Sequence, residues 1–406
     1  MKNLRLLCLV FVVFALGAGA AAPEQKLLLD FAGPAVEVKA SESIPGSVKS
    51  AIEKDPAGRQ YLSLEFIRVP KAGYAYVTLP IADALRASAA EFDGLTMKVK
   101  GDGTATFGLI EIRADDYVSI YQAVFPLDFT DWRDVNIAWD EFFQMNDNAG
   151  ETPINWPKLD GMRFGSRARW GSSKYAVSAI ALTKIAPRTA MNAPAGADRL
   201  SATIAKLKGG QPVKIVALGD SITFGTKVPS DKRQSALYFQ LAAAGLEDAF
   251  KGAKVTAVNA GVGGDAIGEG LVRIGHQVAP ENPDLVIVLL GANDAICNFA
   301  DSRVEKTMAM LLDKLMETTH AEILLLGPSP CGEAPGVPER YARVFEGLAQ
   351  RKGVAYLNLS VEMGKLSPED FKAAYDSDGV HWSERGHAMM GKAVLDLLRG
   401  LAQQAP

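Results

Sequence analysis

Val213-Lys214-Ile215-Val216-Ala217-Leu218 runs directly into Gly219-Asp220-Ser221-Ile222-Thr223. An apolar run with one lysine, stopped by a glycine turn, reads as a strand buried on both faces, as strands of parallel sheets are. Comparable runs follow at Val255–Val258, Leu285–Leu290, Ile323–Leu326 and Val354–Leu357. Helical stretches alternate with them, roughly Ser235–Phe250, Ile267–Val278, Arg303–Thr319, Arg340–Arg351 and Glu384–Leu401. The alternation predicts a doubly wound α/β fold: a three-layer, flavodoxin-like parallel sheet of order 2-1-3-4-5. Sites in such sheets lie beyond the carboxyl ends of the strands, so the residues there carry the most weight.

Those ends hold a consistent set of groups. The first strand leads to Ser221, the second to Asn259-Ala-Gly-Val-Gly-Gly264-Asp265, and the third to Gly291-Ala-Asn293-Asp294. The fourth ends in Gly327-Pro-Ser-Pro-Cys331, and Asp378-Gly-Val-His381 precedes the last helix. Acyl transfer needs a nucleophile, a base, an orienter for the base and donors for an oxyanion. Ser221 can attack, His381 can take its proton, and Asp378 can hold the other ring nitrogen. The amides of Ser221 and Gly264 and the Asn293 carboxamide can supply the donors. Alone, a serine after Gly-Asp is a helix cap or turn residue, and Asn-Asp after a strand is a turn. Four such elements at different strand ends are hard to assign to turns.

These blocks resemble the GDSL, or SGNH, hydrolase superfamily: Gly219-Asp220-Ser221, Gly264, Gly291-Ala292-Asn293-Asp294 and Asp378-Gly379-Val380-His381, in family order. The resemblance covers roughly residues 210–404. It implies a catalytic pair Ser221 and His381 oriented by Asp378, with Ser221, Gly264 and Asn293 as oxyanion hole. Gly263 competes with Gly264, which is preferred because it directly precedes Asp265. Asp376 could replace Asp378 as orienter, but its spacing to His381 departs from the family pattern; Asp220 and Asp294 read as carboxylates that fix loops. His387 falls within the last helix and reads as structural, while His276 and His320 lie away from the strand tips.

Other chemistries fit less well. Thr223 stands where the α/β-hydrolase elbow needs glycine. Gly261-Val-Gly263-Gly-Asp-Ala266 approaches a dinucleotide fingerprint, but the third strand ends in Gly291-Ala-Asn293 instead of an acidic residue. Four dispersed histidines form no metal-ligand cluster, so neither metal nor other cofactor is expected. Cys297 and Cys331 follow strands expected to be neighbours, which makes a disulfide across the mouth of the site the preferred reading over two thiols.

Upstream the period changes. From Lys26 to about Ile185 the chain alternates with period two, as in Leu62–Val69, Ala75–Leu79, Leu95–Val99, Phe107–Ile112 and Tyr175–Ile180, with Gly and Asp turns between. This predicts an all-β sandwich over residues 23–185, closed as a jelly roll. The Ala- and Pro-rich residues 186–198 read as a linker to an α/β domain at 199–406. Trp132-Arg-Asp-Val-Asn-Ile-Ala-Trp139 and Leu159-Asp-Gly-Met-Arg-Phe164 resemble jelly-roll modules of carbohydrate-active enzymes. That resemblance makes Trp132, Trp156 and Trp170, extended by Tyr117 and Tyr121, a candidate sugar platform; Trp139 reads as core.

Residues 1–22 read as a secretory signal, with Lys2 and Arg5 before an apolar run Leu6–Leu16 and small residues at Ala18–Ala22. The run is shorter than the roughly 20 residues a spanning helix needs, so stable membrane insertion is not expected. Its removal leaves 41 basic residues against 47 acidic ones, a balance that gives no case for nucleic acid. An exported hydrolase behind a β-sandwich resembles bacterial carbohydrate esterases. The expected reaction is O-deacetylation of an acetylated poly- or oligosaccharide; a lipase or lysophospholipase, or a glycan-binding protein with an inactive hydrolase domain, are the alternatives.

Overall fold

Strand β13 (Val213–Gly219) is the axis of the C-terminal half. It pairs in parallel with β14 (Val255–Gly261) on one side and β15 (Leu285–Leu289) on the other. Beyond β15 lie β16 (Glu322–Gly327) and β17 (Ala355–Asn358). The order β14-β13-β15-β16-β17 is the expected 2-1-3-4-5. The computed structural model describes residues 24–33, 36–67, 75–104, 107–115, 119–144, 154–165, 172–185 and 199–404. The proposed signal at 1–22 and linker at 186–198, and Tyr117 and Trp170, lie outside the described residues.

Because side chains alternate across a strand, each strand feeds two cores. Ile215, Ala217, Ile287, Leu289, Leu324 and Leu326 pack under α2 (Ser201–Lys208), α4 (Tyr238–Ala249) and α11 (Glu384–Gln404). Val216, Leu218, Val286, Val288, Ile323 and Leu325 face α5 (Ile267–Arg273), α7 (Asp301–Thr318) and α8 (Val337–Lys352). Three layers result, as the uninterrupted apolar runs required. Short helices α3 (Ser221–Phe224), α6 (Ala292–Ile296), α9 (Leu359–Gly364) and α10 (Pro368–Ala374) lie in the connections of this half.

Residues 24–185 form a β-sandwich. One antiparallel sheet runs β3 (Val48–Lys54), β4 (Gln60–Phe66), β12 (Ser173–Thr183), β6 (Gly94–Lys100), β9 (Trp132–Ala138), with β1 (Gln25–Asp30) also on β12. The second runs β10 (Phe143–Gln144), β8 (Ser119–Pro126), β7 (Phe107–Ala114), β11 (Leu159–Gly165), β5 (Ala75–Leu79), β2 (Lys39–Glu42). Leu62, Leu64, Met97, Val177 and Ile180 of the first sheet meet Val77, Ile110, Ile112, Phe125 and Phe164 of the second in one core. Helix α1 (Ala82–Ser88) follows β5 and contributes Leu85 to that core.

The described residues of the candidate sugar platform, Trp132, Trp156 and Tyr121, lie in different surroundings. Tyr121 is fully inside the sandwich core. The Trp156 ring tilts against Trp139, 4.7 Å between centroids, and Trp139 donates its indole N–H to the carbonyls of Ala89 and Phe92. Trp132 sits at the other end of β9, edge-on to Tyr61. At ~3.3 Å per residue the two ends of that strand are about 20 Å apart, so Trp132 and Trp156 share no platform.

Candidate active site

Register brings the site together. Gly219 pairs with both Gly261 and Leu289, so β13, β14 and β15 end at one level. The residues just beyond them (Ser221, the 262–265 loop and Asn293) therefore meet where the strand order reverses. Helix α3 folds back tightly over this edge. A Cβ on Gly219 would lie 2.0 Å from Thr223 Oγ1, and one on Gly261 would lie 2.3 Å from the Phe224 nitrogen. Asp220 caps the helix, accepting from the Ile222 amide at 2.9 Å, which sets Ser221 as its first residue.

Ser221 Oγ lies 2.8 Å from His381 Nε2, and His381 Nδ1 lies 2.9 Å from Asp378 Oδ2. The other Asp378 oxygen accepts the Val380 and His381 amides at 3.0 and 2.9 Å. Burial works against the Asp378 charge, but those two amides, the imidazole and the Lys227 ammonium overcome it and hold the carboxyl well below the usual range. Asp376 does not touch the imidazole: its amide donates to the His381 carbonyl at 2.8 Å, and its carboxylate meets Ser377 and Lys227. The loop is pinned from beneath by Trp382, buried against Tyr238 and His387, with its indole N–H on Ser329 Oγ at 3.1 Å.

The donors face the same edge. Asp265 donates its amide to the Val262 carbonyl, closing a turn whose third residue, Gly264, has φ +82°, a conformation that favours glycine. Among the described residues, the Ser221 and Gly264 amides donate to no other group. Asn293 places one carboxamide N–H on the Asp265 carbonyl at 2.9 Å, which orients the group and leaves its second N–H for a ligand. Gly263 also flanks Ser221, since a Cβ there would stand 4.0 Å from Ser221 Cβ.

Beneath this edge is a buried charged layer. Arg273, 2% exposed, pairs with Asp265 at 2.6 Å and donates to the carbonyls of Gly219 and Ala260. One guanidinium thus ties the serine strand, its neighbour and the 262–265 turn. Burial, helped by the charges of Asp265 and Asp294 and opposed by the Ile222 amide, pushes Asp220 up to about 7. Burial likewise raises Asp294 to about 7, although Arg303 pulls it down; its carboxylate accepts the Ile267 amide at 3.1 Å and fixes α6 to α5. His387 is buried in the core and lowered to about 4 by that burial.

Sequence reasoning missed Arg273, Lys227 and Trp382. An arginine flanked by Val272 and Ile274 was the available signal for the first. The expected disulfide is also corrected: Cys297 caps the end of α6 and is exposed, Cys331 is buried under the following loop, and no bridge joins them.

Residues 217–389 match the GDSL-like Lipase/Acylhydrolase family. The chain is 26% identical over 170 residues to an arylesterase of Vibrio mimicus, covering 41% of this chain and 79% of the relative. It is 23% identical over 209 residues to an acetylxylan esterase of Geobacillus stearothermophilus, covering 47% and 95%. A solved lipase/acylhydrolase from Enterococcus faecalis aligns with TM-score 0.40 and 23% identity, covering 48% of this chain and 97% of its own. Among the described residues, no helix is long and apolar enough to cross a membrane.

Proposed function

We propose that the chain is an exported serine esterase that removes O-acetyl groups from poly- or oligosaccharides. The observation that carries the chemistry is the unbroken relay from Ser221 Oγ through His381 to Asp378. Ser221 Oγ attacks the acyl carbon as its proton passes to His381 Nε2, and Asp378 stabilises the imidazolium. The oxygen that gains charge is held by the Ser221 and Gly264 amides and the free Asn293 N–H. Collapse expels the sugar hydroxyl, which takes the proton from His381. Water then repeats the sequence on the acyl-serine, releasing acetate.

The substrate class is supported by the β-sandwich in front of the hydrolase domain and by the acetylxylan esterase relative. The test is an acetate-release screen of purified protein on acetylated xylan, acetylated mannan and small acetylated sugars, with Ser221→Ala as control. Acetate from none of them removes the carbohydrate reading. A second reading, an esterase for aryl or longer acyl esters, is favoured by Phe224 and Ile296. Each stands three residues after a site residue, hence on the same helix face, with about two fifths of its surface exposed. Rates on p-nitrophenyl acetate and decanoate separate the two.

A further inference from the structure

We propose that Lys227 is a positioning residue for the Asp378–His381 pair and sets where the acid limb of the pH–rate profile falls, an inference that rests on the esterase reading. Lys227 follows the turn at Gly225 that closes α3. Its ammonium lies 3.2 Å from Asp378 Oδ2 and 3.4 Å from Asp376 Oδ1. Asp378 Oδ2 is the same atom that faces His381 Nδ1. One carboxylate oxygen therefore carries a fixed cation and the imidazole side by side.

That arrangement has a consequence for the base. When His381 takes the serine proton, the negative charge of Asp378 stabilises the imidazolium. Lys227 offsets part of that charge, so the imidazolium gains less from Asp378 than it would beside a carboxylate without the ammonium. Asp376 explains how the lysine is kept there: its carboxylate holds the ammonium from the other side, and its amide closes the loop on the His381 carbonyl. The remaining charged groups nearby are engaged elsewhere or point outward. Lys232 pairs with Glu384 at the start of α11, and Arg233 lies over the Phe224 ring at 4.8 Å. Asp231 and Glu333 are exposed on the flanking loops. Burial raises the Cys331 thiol. Lys227 is about one-third exposed, so water and salt screen its effect and the shift is modest.

The experiment compares kcat/KM for p-nitrophenyl acetate from about pH 5 to 9 in the full chain and in Lys227→Met, Lys227→Gln and Lys227→Arg, with Tm recorded for each. Both neutral variants move the acid limb up by about half to one pH unit, so rates below the limb fall about three- to tenfold while the alkaline loss is smaller. Lys227→Arg restores the limb. A limb that does not move, or a loss equal at every pH, overturns the proposal. A wild type inactive on every ester sinks the esterase reading; an active wild type with a superimposable Lys227→Met profile sinks this inference alone.

Discussion

Replacing Asp378 by asparagine keeps size and shape, yet the geometry dictates a severe loss. Asp378 Oδ1 accepts the amides of Val380 and His381, so the asparagine carbonyl oxygen must occupy that position. The NH2 group then falls where Oδ2 was, facing His381 Nδ1 and the Lys227 ammonium. A donor opposite Nδ1 makes that nitrogen the acceptor and moves the ring proton to Nε2. Nε2–H cannot take the proton of Ser221, which lies 2.8 Å away. Holding the imidazole in the wrong tautomer costs about ten-thousand-fold in turnover, or about 5.5 kcal/mol of transition-state stabilisation. The assay is kcat and KM on p-nitrophenyl acetate near pH 8, with circular dichroism to show that the fold survives. A folded Asp378→Asn retaining more than about a tenth of wild-type kcat would refute the reasoning, because His381 would then need no orienting carboxylate.

Three further outcomes follow from the layer beneath the site and the loops around it. Asp220 binds a proton in the folded state up to about pH 7 but in the unfolded chain only near its ordinary value of 3.8. Stability is therefore greatest below that lower value and declines as pH rises through about 7, and Asp220→Asn should shrink the Tm difference between pH 5 and pH 8. Arg273→Met strips the buried Asp265 carboxylate of its guanidinium and should cost about 3–5 kcal/mol in urea unfolding; a change below about 1 kcal/mol would contradict the tie. Ellman's reagent should modify Cys297 in the native protein and Cys331 only after denaturation, and retention of both thiols without reductant checks the absence of a bridge.

How much of this could be read from the sequence follows from the physics of each part. Apolar runs such as Leu285–Leu289 announce a strand with two covered faces, and alternation with helices leaves few topologies, so the sheet order was legible. That Ser221, His381 and Asp378 meet was legible because each stands at a strand end or beside the last helix. Lys227 was not, because its role depends on a loop folding across 150 residues of separation onto Asp376 and Asp378. Arg273 was hidden for the same reason: its partners are carbonyls of two strands and the Asp265 carboxylate of a turn, brought together only by the fold. The placing of Trp156 was not legible because stacking surfaces and core surfaces use the same residue, and only its packing on Trp139 shows which surface it meets.

The central claim is that Ser221 is a nucleophile activated by His381. It is tested most directly by treating the full chain with a p-nitrophenyl phosphonate ester and mapping the adduct by peptide mass spectrometry. One adduct per chain, on Ser221, forming in step with the loss of esterase activity and absent from His381→Ala, is the result expected. Full inactivation with Ser221 unmodified, or equal labelling when His381 is replaced, would contradict it.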